Sequence, residues 1–118
     1  GIARCVAADS GELVYQSRLE GFSSSRGGAS GGQRGGGGGF GRGGGPAVYA
    51  SPTCADEKIF LVSRYNGVFV LAAKATFEQL AHNKFESDDS QFNGSPAVSN
   101  GQMFLRSDKF LYCIAEGK

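Results

Sequence analysis

The side chains of this chain that could do chemistry are few and scattered. His82 is the only histidine, and no Cys, Asp or Ser arrangement accompanies it that would make it a ligand or a base. Alone, it reads as a surface or strand-end residue. Asp88 and Asp89, with Asn93, offer the oxygen ligands that a hard cation takes, yet consecutive carboxylates in a polar loop are more simply read as solvated. Ser51 and Ser95 lack both a Gly-x-Ser-x-Gly elbow and a partner base, and read as turn residues that bond nearby backbone. Cys5, Cys54 and Cys113 show none of the Cys-x-x-Cys spacing of a zinc or redox site. A thiol in a strand behaves as a small apolar group, so all three are expected to be buried.

One stretch carries a different chemistry. Gly21 to Pro46 holds 14 of the 20 glycines, with only Phe22, Ala29 and Phe40 as apolar side chains. It cannot bury enough surface to offset its ordering entropy and is expected to be a disordered insertion. Within it, Arg26-Gly27-Gly28, Arg34-Gly35-Gly36 and Phe40-Gly41-Arg42-Gly43-Gly44 resemble RGG-type RNA-binding segments, which act by arginine contacts to phosphate and by stacking. Three arginines beside one aromatic would make a weak, salt-sensitive site. The formal net charge of +1 argues against a general nucleic-acid surface, so nucleic acid is not the partner expected.

The elements that must position these residues follow from an internal repeat. Ser51-Pro52 answers to Ser95-Pro96 and Phe60-Leu61 to Phe104-Leu105 at an offset of 44, and Val70-Leu71 answers to Cys113-Ile114 at an offset of 43. Cys5-Val6-Ala7 matches Val70-Leu71-Ala72 as a third, partial copy. The extra spacing there corresponds in length to the Gly-rich insertion. A period of roughly 40 to 45 residues holding several short strands is the spacing of a propeller blade.

Taken in order, 1–20 reads as a hairpin turning at Ala8-Asp9-Ser10-Gly11. A four-stranded unit follows over 47–85, with turns at Asp56-Glu57 and at Arg64-Tyr65-Asn66-Gly67, where Asn-Gly marks a hairpin. Its fourth strand is expected over Glu78 to Phe85, although Ala72 to Leu80 has the propensity for a short helix. Residues 86–118 read as a loop and three more strands. The tally of two, four and three strands gives an all-β, partial β-propeller of antiparallel blades. No run approaches the ~18 apolar residues needed to span a bilayer. The opening on Gly1 and the ending after a third strand suggest an excerpt of a longer protein.

The residues Cys5-Val6-Ala7-Ala8-Asp9-Ser10-Gly11-Glu12-Leu13-Val14-Tyr15 resemble the repeat signature of the pyrroloquinoline-quinone-like (quinoprotein-type) β-propellers. These include bacterial extracytoplasmic propellers similar to the outer-membrane assembly lipoprotein BamB. The stretches YASPTCADEKIFLVSRYNGVFVL and FLYCI look like closing blades of such proteins. The resemblance implies a binding scaffold outside the cytoplasm, completed by further blades, with a protein or small ligand as partner. A full-length protein of this kind could alternatively be a quinone-dependent dehydrogenase. The family signature ends in Trp, which helps dock adjacent blades, whereas this chain has Tyr15 there. The central-channel residues that hold the quinone match no position, so quinone binding is not carried over. In a propeller the loops after second and fourth strands share one face, which here gathers Tyr65, Asn66, Asp88, Asp89 and Lys109 with the Gly/Arg insertion. That face is the expected contact surface.

Overall fold

The computed structural model describes residues 1–23 and 48–116. Most of the Gly-rich insertion, with Arg26, Arg34, Phe40 and Arg42, lies outside the described residues. The described chain is all-β, without a helix. Its strands are β1 (Ile2–Val6), β2 (Leu13–Arg18), β3 (Thr53–Ala55), β4 (Lys58–Ser63), β5 (Gly67–Ala72), β6 (Gln79–Asn83), β7 (Ala97–Ser99), β8 (Gln102–Arg106) and β9 (Leu111–Ala115). They form three antiparallel meanders in chain order, β1-β2, β3-β4-β5-β6 and β7-β8-β9, hereafter the first, second and third sheets.

The β4–β5 hairpin is the centre of the molecule. Its residues run almost without interruption as apolar side chains, the pattern of a strand pair covered on both faces. Because successive side chains point to opposite faces, Phe69 and Leu71 pack with Leu19, Ala3 and Phe22 of the first sheet and its exit. Val62 and Val68 pack with Ala50, Phe92 and Leu105 toward the third sheet. Burying one such side chain is worth about 1.5–3 kcal/mol. The fourth strand forms over Gln79–Asn83, so its pairing with β5 prevails over the helical propensity of Ala72 to Leu80.

The turns follow the repeat. Asp56-Glu57 joins β3 to β4, and Asn100-Gly101 joins β7 to β8, each as a two-residue loop with both residues at positive φ. This backbone matches the twist of a hairpin. The Asn66-Gly67 pair differs from expectation. Ser63 pairs with Gly67, so three residues form the loop and Gly67, at φ +80, is the bulge that closes it. A Cβ at Gly67 would strike the carbonyl of Asn83.

The cysteines correct the sequence reading. Cys5 is half-buried, but Cys54 and Cys113 are exposed. Cys54 shares a face with its partner Ile59 on an edge strand that the two-stranded first sheet does not reach across. Cys113, opposite Phe104, lies on the outward face of the third sheet.

Phe69→Ala is expected to lower the unfolding free energy by about 3–5 kcal/mol in a urea titration, the cost of an aromatic cavity in a core. Glu57 holds a left-handed conformation at φ 56 that disfavours side chains with a Cβ. Glu57→Gly should therefore raise stability, by up to about 1 kcal/mol in the same measurement.

Candidate functional site

Among the described residues, the loops of the expected contact face lie at one end of the stacked sheets. The antiparallel registers bring there the β4–β5 loop, the β6–β7 connection at 84–96 and the β8–β9 turn at 107–110. The five residues singled out from sequence do reach this end, but they divide. Tyr65, Asp89 and Lys109 are exposed, with Lys109 Nζ 2.5 Å from Asp89 Oδ1. Asn66 and Asp88 are only 7% and 6% exposed, and their polar groups are engaged within the protein, although Asp88 still borders the groove at this end.

Asp88 is instead the hub of a buried polar cluster. It accepts from Ser107 Oγ at 2.6 Å, Tyr112 OH at 2.7 Å, Ser90 Oγ at 2.5 Å and the Ser90 amide at 3.0 Å. Burial alone would raise the pKa of its carboxyl, but these donors stabilise the charged form and hold it well below the usual carboxylate range. Burial, reinforced by the Asp88 hydrogen bond and charge, pushes Tyr112 up to about 12. Ser107 in turn accepts from the amides of Lys109 and Phe110 at 3.2 and 3.0 Å, so one carboxylate ties the 84–96 connection to the last turn of the third sheet. The reading of Asp88 as a solvated residue is overturned, because three hydroxyls from distant and local positions supply what water would.

Arg64, which sequence alone did not single out, clamps the same connection from the other side. Its Nε donates to Asn93 Oδ1 at 2.9 Å and its Nη2 to Gln91 Oε1 at 2.5 Å. The guanidinium lies over Tyr49 at 4.3 Å and over Tyr65 at 5.2 Å from the ring centroids, cation–π distances. Its carbonyl accepts from the Phe92 amide at 3.1 Å.

Asn66 holds the segment that leaves the first sheet. Its side chain accepts from the Ser23 amide at 3.2 Å and donates to the Ser23 carbonyl at 2.7 Å. His82, expected at the surface or a strand end, is the penultimate residue of β6 and half-buried. Its ring stacks on Phe69 with centroids 4.1 Å apart, and Nε2 donates to the Asn66 carbonyl. It is a packing and pinning group without a nucleophile to serve. Ser51 and Ser95, expected to bond their own turns, bond each other across the repeat, the Ser51 amide donating to Ser95 Oγ at 2.8 Å.

Beside the cluster a groove of about 450 Å³ opens between Tyr65, Lys84, Phe85, Glu86 and Asp89. It combines aromatic walls with charged rim groups of both signs, and so can hold a mixed polar and apolar surface. Among the described residues no three His, Cys, Asp or Glu side chains gather as a metal-holding group. Among them, too, no helix is long and apolar enough to cross a membrane. Comparison with protein-family models, with curated proteins and with solved structures finds no match to this chain.

The polar cluster sets a pH dependence. Asp88 titrates below its ordinary 3.8 in the folded chain, so its contribution is complete above that value and is lost as pH falls through the lowered folded pKa. Tyr112 acts in the opposite sense, contributing below 10.0 and losing its contribution as pH rises through about 12. In urea titrations between about pH 2 and pH 7, the wild-type midpoint should fall on acidification. Asp88→Asn should start lower at neutral pH and show a flatter acid limb; parallel profiles for the two proteins would exclude the cluster as the cause.

Proposed function

We propose that this chain is a non-catalytic β-propeller segment, a scaffold that presents its loop end to a protein or small ligand. The observation that carries the reading is contact between equivalent positions of successive repeats. Ser51 bonds Ser95 at 2.8 Å, and Thr53 Oγ1 donates to the Pro96 carbonyl at 3.1 Å, as expected for units arrayed about an axis. Consecutive antiparallel meanders of two, four and three strands packed face to face also fit a radial array that protects its edges. Tyr15, in the place of the family's tryptophan, reaches the neighbouring sheet edge-on against Phe77 at 5.7 Å, which suits a docking role.

The contact surface on this reading centres on Tyr65 and Asp89 at the groove, with Lys109 paired to Asp89 beside it and with the largely buried Asn66 and Asp88 as supports. Function by presentation accords with a loop end whose buried polar groups are engaged with one another. The resemblance to quinoprotein-type propellers supports reading such a scaffold as lying outside the cytoplasm and joined to further blades.

The test is affinity capture from extract of the source cells with the wild-type chain and with a Tyr65→Ala, Asp89→Lys double variant. Both positions are exposed, so circular dichroism should be unchanged. Loss of at least one bound species, by about tenfold or more, is the expected result; an identical capture profile would count against this face. Absorbance of the quinone with calcium should be unaltered by the chain, and a spectral shift would favour the dehydrogenase alternative.

A further inference from the structure

The groove beside the Asp88 cluster is lined by side chains between Tyr65 and Phe92. It opens at the loop end and not on an outer sheet face, so its walls all belong to the interior of the chain. Its volume of about 450 Å³ lies in the range of small-ligand sites, about 300–1,000 Å³.

The aromatic walls are fixed in advance. Phe85 packs its ring against Phe92 and Tyr112, with centroids 5.1 and 4.7 Å away, and the Phe92 amide donates to the Arg64 carbonyl at 3.1 Å. Tyr65 stands beside the Arg64 guanidinium, 5.2 Å from its ring centroid. The Asp88 amide donates to the Phe85 carbonyl at 3.0 Å, closing a turn that presents Glu86. Asp88 is itself held by Ser107 and Tyr112, so the turn cannot shift without breaking those bonds. A site set in this way loses less entropy when a ligand enters.

The polar groups of the groove divide into engaged and unengaged. Asp88 has both carboxylate oxygens occupied, Oδ1 by the Ser90 amide and hydroxyl and Oδ2 by Ser107 and Tyr112, and Asp89 is paired with Lys109. Lys84 and Glu86 are exposed, and neither side chain has a hydrogen bond or ion pair among the described residues. An ammonium donor and a carboxylate acceptor thus stand unengaged beside aromatic surfaces. An anion would meet the carboxylates of Glu86, Asp88 and Asp89. A simple cation would meet Lys84, with Lys109 already on Asp89. A hydrocarbon would take water from Lys84 and Glu86 and give nothing back. The ligand that suits every wall is neutral, with a C–H face for the aromatic rings and hydroxyls at its edge. A hydroxyl both donates and accepts, and its bonds to charged partners are the stronger kind.

We propose that this groove binds a neutral saccharide, a sugar ring lying against the Tyr65 and Phe85 walls with its hydroxyls donating to Glu86 and accepting from Lys84. The proposal rests on the reading of the loop end as a binding surface and names the ligand class for it. Because the ligand carries no charge, added salt, which screens exposed charges, leaves its affinity nearly unchanged.

Chemical-shift titration of the isotope-labelled 118-residue chain tests it, with cellotriose, maltotriose, galactobiose and tri-N-acetylchitotriose as probes and inorganic phosphate and butylammonium as charged controls. At least one saccharide should move the amides of Tyr65 and of residues 84–89 in a saturable way, equally at low and high salt. Glu86→Ala and Lys84→Ala alter exposed positions and should keep the rest of the spectrum, yet each should weaken that binding by about tenfold. No movement with any saccharide, movement confined to other amides, an equal response to phosphate or butylammonium, or an affinity indifferent to both substitutions would overturn the proposal. Should these amides stay still while the Tyr65→Ala, Asp89→Lys variant loses a captured species, the loop end remains a contact surface and the saccharide assignment alone fails.

Discussion

Burial of the β4–β5 hairpin on both of its faces is the constraint from which the rest of the structure follows. A hairpin with one apolar face can rest on a single layer, but this one needs two. Phe69 and Leu71 on one side and Val62 and Val68 on the other require the first and third sheets to exist, and they set which side chains those sheets must offer. The two-stranded first sheet is too small to be independently stable and depends on the hairpin for its core, while the third sheet shares with the hairpin the cluster around Leu105. The second sheet in turn is completed by β3 and β6, which satisfy the outer backbone groups of the hairpin.

Apolar contact is not directional, and it would leave the sheets free to slide. Polar groups at the loop end remove that freedom. Asp88, Ser107 and Tyr112 join the 84–96 connection to the third sheet, and Arg64 joins it to the second through Asn93 and Gln91. Asn66 does the same for the exit from the first sheet. Carboxylate, histidine and arginine, the groups that might otherwise suggest catalysis, are here satisfied by hydroxyl, carbonyl and side-chain amide partners, which is how charged and polar groups leave water at tolerable cost.

The strands were legible because period-two alternation and turn residues are local signals, and in the structure the Asp56-Glu57 turn recurs 44 residues on as Asn100-Gly101. Burial was less legible, because it depends on what lies across the interface. Cys54 and Cys113 carry the residue type of a core and sit where no sheet covers them. Asp88 carries the residue type of a surface, and becomes internal because donors 19 and 24 residues downstream fold against it. His82 escaped for the same reason, its partners being Phe69 and the carbonyl of Asn66. Only the spacing of Ser107 before a turn, and Tyr112 beyond it, hinted at the hydroxyls that Asp88 would need.

The bonds between the second and third sheets are gathered at one end. Ser51 with Ser95, Thr53 with Pro96 and Arg64 with Asn93 all sit near the β4–β5 loop. Toward the Asp56-Glu57 and Asn100-Gly101 turns the same two sheets diverge around a cleft of about 470 Å³ between Phe60, Lys58, Met103 and Ile114. A pair fastened along one edge and parted at the other behaves as a hinged wedge. Polar bonds fix the geometry at the loop end, whereas at the far end only apolar contact across the cleft relates the two sheets.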